Sequence, residues 1–262
     1  MHNALKDSGL PALTIDLLET EGNMVDNLFA DLWKKINMKS LLNKAGFRKR
    51  SGTPIDELVY VLILWLWLKK NSIAMFSRES LNYFTTAEKD ALYGLLNRED
   101  LNWRKLNLDV AIKAIKEMPA GKTPKAFVLD DSIKNRFGKK MPGVSNHFDH
   151  TLGRSVKGQQ VLTLGYSCEH GFVPLDSELF ISNSNVQELH QPFKDGRSIV
   201  AKRYRQAQNQ TKPEMARNMM ARAVRAGIQA EFMLADAWFG TKAMLNSAEE
   251  LSLTAIVRMK KS

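Results

Sequence analysis

Two aspartates close an apolar run in AFVLDDSIK, residues 126–134, where Asp130 and Asp131 follow Phe127, Val128 and Leu129. A second run of the same form, AEFMLAD, ends at Asp236. Ionised carboxylates held a few ångströms apart repel, and one keeps its proton unless a cation sits between them. Mg²⁺ is a hard ion that takes oxygen ligands, often one or two protein carboxylates with water and a substrate phosphate. In a basic region such a pair points to metal-assisted phosphoryl transfer on nucleic acid. A lone aspartate after a strand is ordinarily a turn or cap residue. Two similar strands, both ending in Asp in one basic α/β region, strengthen the catalytic reading without displacing that one.

Convergence depends on the elements that carry them. KAFVLDD reads as a short buried strand, and QQVLTLGYS and FVPLDSELFIS as two more, joined through CEHG with Gly171 at the turn. These three make an antiparallel meander. TKPEMARNMMARAVRAG follows as a helix, with Thr211 and Glu214 at capping-box spacing, Met215, Met219, Ala223 and Val224 inward, and Gly227 as its stop. AEFMLAD, the helical TKAMLNSAEELS and the strand LTAIVRM complete a β-β-β-α-β-α-β order. If the two acidic strands are parallel neighbours, both aspartates leave the same end of the sheet, where ligands of α/β folds gather.

The first 120 residues read as an all-helical domain preceding this α/β domain of residues 121–262, with AGKTPK as the boundary. Thr53 caps TPIDELVYVLILWL with Pro54 at its first position. Thr85 and Glu88 have capping-box spacing ahead of Leu92, Leu95 and Leu96. Leu108, Ile112 and Ile115 recur at helical steps before Pro119. Such a region suits either a DNA-binding helix-turn-helix or a packing domain. The apolar run at residues 58–68 is too short to span a membrane and reads as a buried helix.

Charge narrows the partner. The chain of 262 residues carries +10, with 44% hydrophobic and 25% charged residues. Residues 1–120 hold 17 basic against 15 acidic residues, and residues 121–262 hold 21 against 13. Between Lys194 and Arg225, nine basic residues meet only Asp195 and Glu214. A one-sided basic field suits a polyanion, nucleic acid above all. KDGRSIVAKRYRQ, with Lys202, Arg203, Tyr204 and Arg205, reads as backbone contact with a stacking surface. One cysteine excludes an internal disulfide and, with no secretory pattern at the start, fits the cytoplasm.

LDDS at residues 129–132 and LADAWFG at residues 234–240 resemble the first two acidic motifs of insertion-sequence DDE transposases, particularly the IS-four-like group. HFDHTLGRSVKGQQVLTLGYS, which includes Lys157, is similar to the stretch between the first two strands in that group. The resemblance implies an RNase H-like mixed sheet, a meander plus parallel strands with crossover helices. It implies a DNA transposase of a mobile element, which binds terminal inverted repeats and performs Mg²⁺- or Mn²⁺-dependent strand cleavage and transfer. Double-stranded DNA at the transposon ends and target is the implied partner, with room for a homo-oligomer. By carry-over, Asp131 and Asp236 are the catalytic metal ligands, Asp130 is the acidic neighbour, Ser132 orients Asp131 or caps the turn, and Lys157 joins the DNA-binding residues.

The family's third carboxylate is a Glu within a Tyr…Arg…Glu…Lys signature on a helix after the last strand. Glu249 and Glu250 precede that strand and read as surface charges. The expectation is therefore the front portion of a transposase, weak or inactive in cleavage. The alternatives are a DNA-binding product that inhibits the intact enzyme, and an RNase H-like nuclease. Cys168, His170, His147 and His150 make a poor zinc set, because structural zinc favours paired ligand couples. Trp238 reads as core packing before contact with an unpaired base.

Overall fold

The computed structural model describes residues 24–68, 72–119, 121–138, 141–149, 153–181 and 192–258; the N-terminal stretch read for a leader and His150 lie outside them. The chain divides into two compact units between Leu101 and Asn102.

In the first unit the described elements are α1 (Met24–Lys35), α2 (Met38–Lys44), α3 (Ile55–Trp67), α4 (Ile73–Glu79), a 3-10 turn (Leu81–Tyr83) and α5 (Lys89–Leu96). α3 is the apolar run expected to be buried. Leu58, Val59, Val61 and Leu64 are at most 1% exposed, while Leu66 and Trp67 emerge at its end. Pro54 rather than Thr53 is its N-cap. The Thr85–Glu88 box does not form. Glu88 caps α5 without a side-chain bond, and the Thr85 hydroxyl instead donates to Glu57 and accepts from the Ala87 amide. Leu92 and Leu95 turn inward, but Leu96 is exposed. No helix among the described residues is long and apolar enough to cross a membrane.

The second unit opens with α6 (Trp103–Glu117), the helix that sequence punctuation placed before a boundary at residues 120–125. It packs on a strand of this unit instead. Then come β1 (Ala126–Asn135), β2 (Ser145–Asp149), β3 (Arg154–Cys168), β4 (Gly171–Phe180), α7 (Ile199–Gln208), α8 (Lys212–Arg225), β5 (Phe232–Ala235), a 3-10 turn (Ala237–Phe239), α9 (Lys242–Glu250) and β6 (Thr254–Val257). The strands form one mixed sheet in the order β2-β3-β1-β5-β6, with β4 also paired to β3. The meander is antiparallel: β1 pairs with β3, and β3 with β4 through a tight turn in which Gly171 has φ 137°, a backbone region open to glycine. β5 lies parallel to β1, and β6 parallel to β5. This is the mixed α/β sheet expected.

One sheet face is covered by helices. Phe127, Leu129, Leu162, Leu164 and Met233 from the strands meet Met215, Met219, Met220 and Ala223 of α8 and Met244 and Ala248 of α9. Full burial of each large apolar side chain contributes roughly 1.5–3 kcal/mol relative to exposure. α8 begins with the expected capping box, Thr211 with Glu214. Val224, expected inward, is 39% exposed, and Met220 fills the core in its place. Four features were not expected: β2, α7, the run of β1 past its aspartates to Asn135, and the run of β3 back to Arg154.

Candidate active site: two aspartates on adjacent strands

Backbone register decides which acids meet. Val128 sits beside Leu234, and Leu234 beside Ile256, in one row across β1, β5 and β6. Side chains alternate faces along a strand, so two residues further on Asp130, Asp236 and Arg258 continue the same face. All six line one open depression of about 600 Å³. Adjacent strands run about 4.8 Å apart, which brings the Asp130 and Asp236 carboxylates within reach of one small ion.

Each carboxylate is held by one oxygen. Asp130 Oδ1 accepts from the Asp131 amide at 2.9 Å. Asp236 caps the 3-10 turn, and its Oδ1 accepts from the Trp238 amide at 3.0 Å. Among the described residues, no protein donor engages the second oxygen of either group. Fixed orientation with one oxygen open suits a hard divalent cation, and such outer-shell bonds commonly aim metal ligands. The donor set therefore fits Mg²⁺ or Mn²⁺.

Asp131 lies on the opposite, helix-covered face. Its Oδ2 accepts from Lys212 Nζ at 2.6 Å and its Oδ1 from Gln160 Nε2 at 3.1 Å. Lys212, at the start of α8, is only 6% exposed, and its Nζ stands 4.3 Å from the Trp238 ring centroid and 5.1 Å from that of Phe180. Register therefore sets Asp130, rather than the expected Asp131, on the same face as Asp236, because adjacent strand residues face opposite ways. Ser132 is exposed on the Asp130 face and neither orients Asp131 nor caps a turn, since β1 continues to Asn135. Trp238, 39% exposed, packs edge-on against Phe239 at 5.0 Å and over Lys212.

The other expected residues scatter. Lys157 is exposed on β3. On α7, Lys202 is exposed, whereas Arg203 bonds the Ser177 carbonyl at 2.8 Å and Glu178 at 3.3 Å. Tyr204 packs on Phe193 at 5.2 Å, and burial pushes its phenol pKa up. Arg205 donates to the Gly196 carbonyl at 2.6 Å. Much of this stripe is therefore committed to holding α7 in place.

A buried charge cluster went unread in the sequence. Asp176 and Glu178, two residues apart on β4, take Arg222 of α8 at 2.6 and 2.8 Å, and Arg104 of α6 closes on both. Arg203 joins through Glu178. Burial, the largest influence on Arg104, pushes its pKa down, opposed by Glu178 and Asp176. The available signal was a pair of acids at strand spacing beside arginine-bearing helices.

No described cluster gathers three or more His, Cys, Asp or Glu side chains around one point. Glu250 pairs with Arg217 at 2.7 Å on α9, the helix that covers the opposite sheet face, and Glu249 is exposed there. Cys168 Sγ contacts Met118 Sδ at 3.8 Å, and His147 Nε2 lies 2.9 Å from Ser145 Oγ.

Comparison with curated proteins yields no match. The sequence profile of the DDE superfamily endonucleases, however, matches residues 56–262, most of the chain and all of the sheet, and the chain belongs to that family.

Proposed function

We propose that this protein is a DNA transposase of the insertion-sequence type, cleaving phosphodiester bonds with Asp130 and Asp236 as its paired carboxylates. The observation that carries this is the depression shared by two adjacent strands, where each carboxylate has one oxygen tied to backbone and one open. Asp130 and Asp236 would hold a divalent cation, Mg²⁺ or Mn²⁺. That ion supplies Lewis acidity toward a phosphoryl oxygen and activates water at neutral pH. Arg258, on the same rim, offers a fixed positive charge to a neighbouring phosphate. Val128, Leu234 and Ile256 floor the depression with apolar surface. Terminal inverted repeats are the proposed substrate, bound through the basic excess of residues 121–262.

The test is metal-dependent nicking of terminal-repeat DNA by the 262-residue polypeptide, together with Mn²⁺ titration. Asp130→Asn and Asp236→Asn should each lower Mn²⁺ affinity at least tenfold and abolish nicking while DNA binding persists. Unchanged Mn²⁺ binding in both variants would sink the assignment. A second reading is DNA binding without cleavage, which rests on the basic excess of residues 121–262. It predicts tight binding and no nicking even at high Mn²⁺.

A further inference from the structure

The ladder between β1 and β5 stops short of the acids. Its last pair is Leu129 with Ala235, after which β1 runs on beside β3 and β5 turns off at Asp236. Strand pairing therefore does not by itself fix the spacing of Asp130 and Asp236. Each carboxylate takes its orientation from one backbone amide, Asp130 from that of Asp131 at 2.9 Å and Asp236 from that of Trp238 at 3.0 Å. The two residues that supply those amides turn their side chains to one group. Lys212 Nζ donates to Asp131 Oδ2 at 2.6 Å and stands 4.3 Å from the centroid of the Trp238 ring. That ammonium is itself held in place. Lys212 is buried, the Phe180 ring lies 5.1 Å from its Nζ, and the Thr211–Glu214 box sets the start of its helix. Gln160 Nε2 steadies the other Asp131 oxygen at 3.1 Å.

We propose that Lys212 is the positioning residue of the carboxylate pair. From the helix-covered face, one ammonium fastens β1 through an ion pair and the turn after β5 through a cation–π contact. Both fastenings fall on the residue whose amide aims a carboxylate. An ammonium has three donors and no acceptor, so Lys212 is no metal ligand and acts through Asp131 and Trp238. Contacts behind the ligands commonly govern how tightly a metal is held. A lysine placed for stability alone has use for Asp131, but none for the residue that supplies the second aiming amide.

This assignment rests on the metal reading of Asp130 and Asp236 above, so its test has two separate readouts. In EDTA, NMR of ¹⁵N-labelled protein follows the hydrogen-exchange protection of the amides at positions 131 and 238. Mn²⁺ titration of the same samples follows. Lys212→Met should lower protection of both amides about tenfold while the rest of the sheet stays protected. It should also lower Mn²⁺ affinity about threefold. The direction is diagnostic, because removing a nearby positive charge would by itself raise affinity for a cation. Asp131→Asn combined with Lys212→Met leaves the net charge unaltered, and it should keep both losses although its stability recovers. Arg217→Met removes an exposed ion pair with Glu250 from the same helix and should change neither readout. Wild-type protection at either amide, or Mn²⁺ affinity unchanged or raised in both Lys212 variants, would overturn the proposal. A wild type that takes up no Mn²⁺ would remove the metal reading instead, and amide protection would still decide whether Lys212 holds the pair.

Discussion

Asp130 and Asp131 are neighbours in sequence and have opposite fates in space. Asp130 opens to a solvent-filled depression, while Asp131 neutralises Lys212, a lysine with 6% exposure. A buried ammonium that loses this carboxylate is costly to keep charged. Asp131→Asn should therefore destabilise the protein by roughly 2–3 kcal/mol, less than for a fully buried pair because the Asp131 side chain is 23% exposed. Adding Lys212→Met to that variant should recover much of the loss, since the apolar side chain suits the Phe180 and Trp238 rings. Chemical denaturation of the three variants checks this, and additive losses would show that the pair is not coupled. Mn²⁺ affinity should fall far less in Asp131→Asn than in Asp130→Asn.

At the scale of elements, α8 does two jobs. Its buried methionines cover the sheet, and its first residue, Lys212, reaches the strand end that carries the acids. The capping box fixes where that first turn begins. Thr211 accepts from the Glu214 amide, and the Glu214 carboxylate accepts from the Thr211 amide at 2.8 Å, holding its own pKa below the usual carboxylate range. Thr211→Ala should cost about 1 kcal/mol in urea denaturation, with Thr211→Ser close to neutral. The box was legible because its two residues are three apart and need only local geometry. The Thr85–Glu88 pair has the same spacing, yet Thr85 is drawn instead to Glu57, 28 residues away. Local pattern proposes a cap, and tertiary competition decides whether it forms.

For the whole molecule, pH acts on stability through His147, which sits on β2 close enough to Lys212 and Asp131 to feel both charges. Burial pushes its pKa down from 6.5, and Lys212 pushes the same way, while a Gly158 backbone bond and Asp131 oppose them. The unfolded chain therefore takes up the proton first. The stability this neutral ring contributes is complete above about pH 6.5 and is lost as the pH falls toward the folded pKa. Thermal melts should drop between about pH 7 and 5, and His147→Asn should flatten that part of the profile. The antiparallel meander, the two helices that follow Thr211 and Thr241, the basic second half and the two strands that carry the acids were legible in the sequence alone. Apolar runs, turn residues and charge act over a few residues and can be read in line. Which aspartate meets Asp236, where Arg203 spends its charge and how far β1 extends were decided only by the fold. Each depends on contacts between separate segments, Asp130 with Asp236, Arg203 with Glu178 and Asn135 with Gly158, and one step along a strand moves a carboxylate from the open face of the sheet to the buried one.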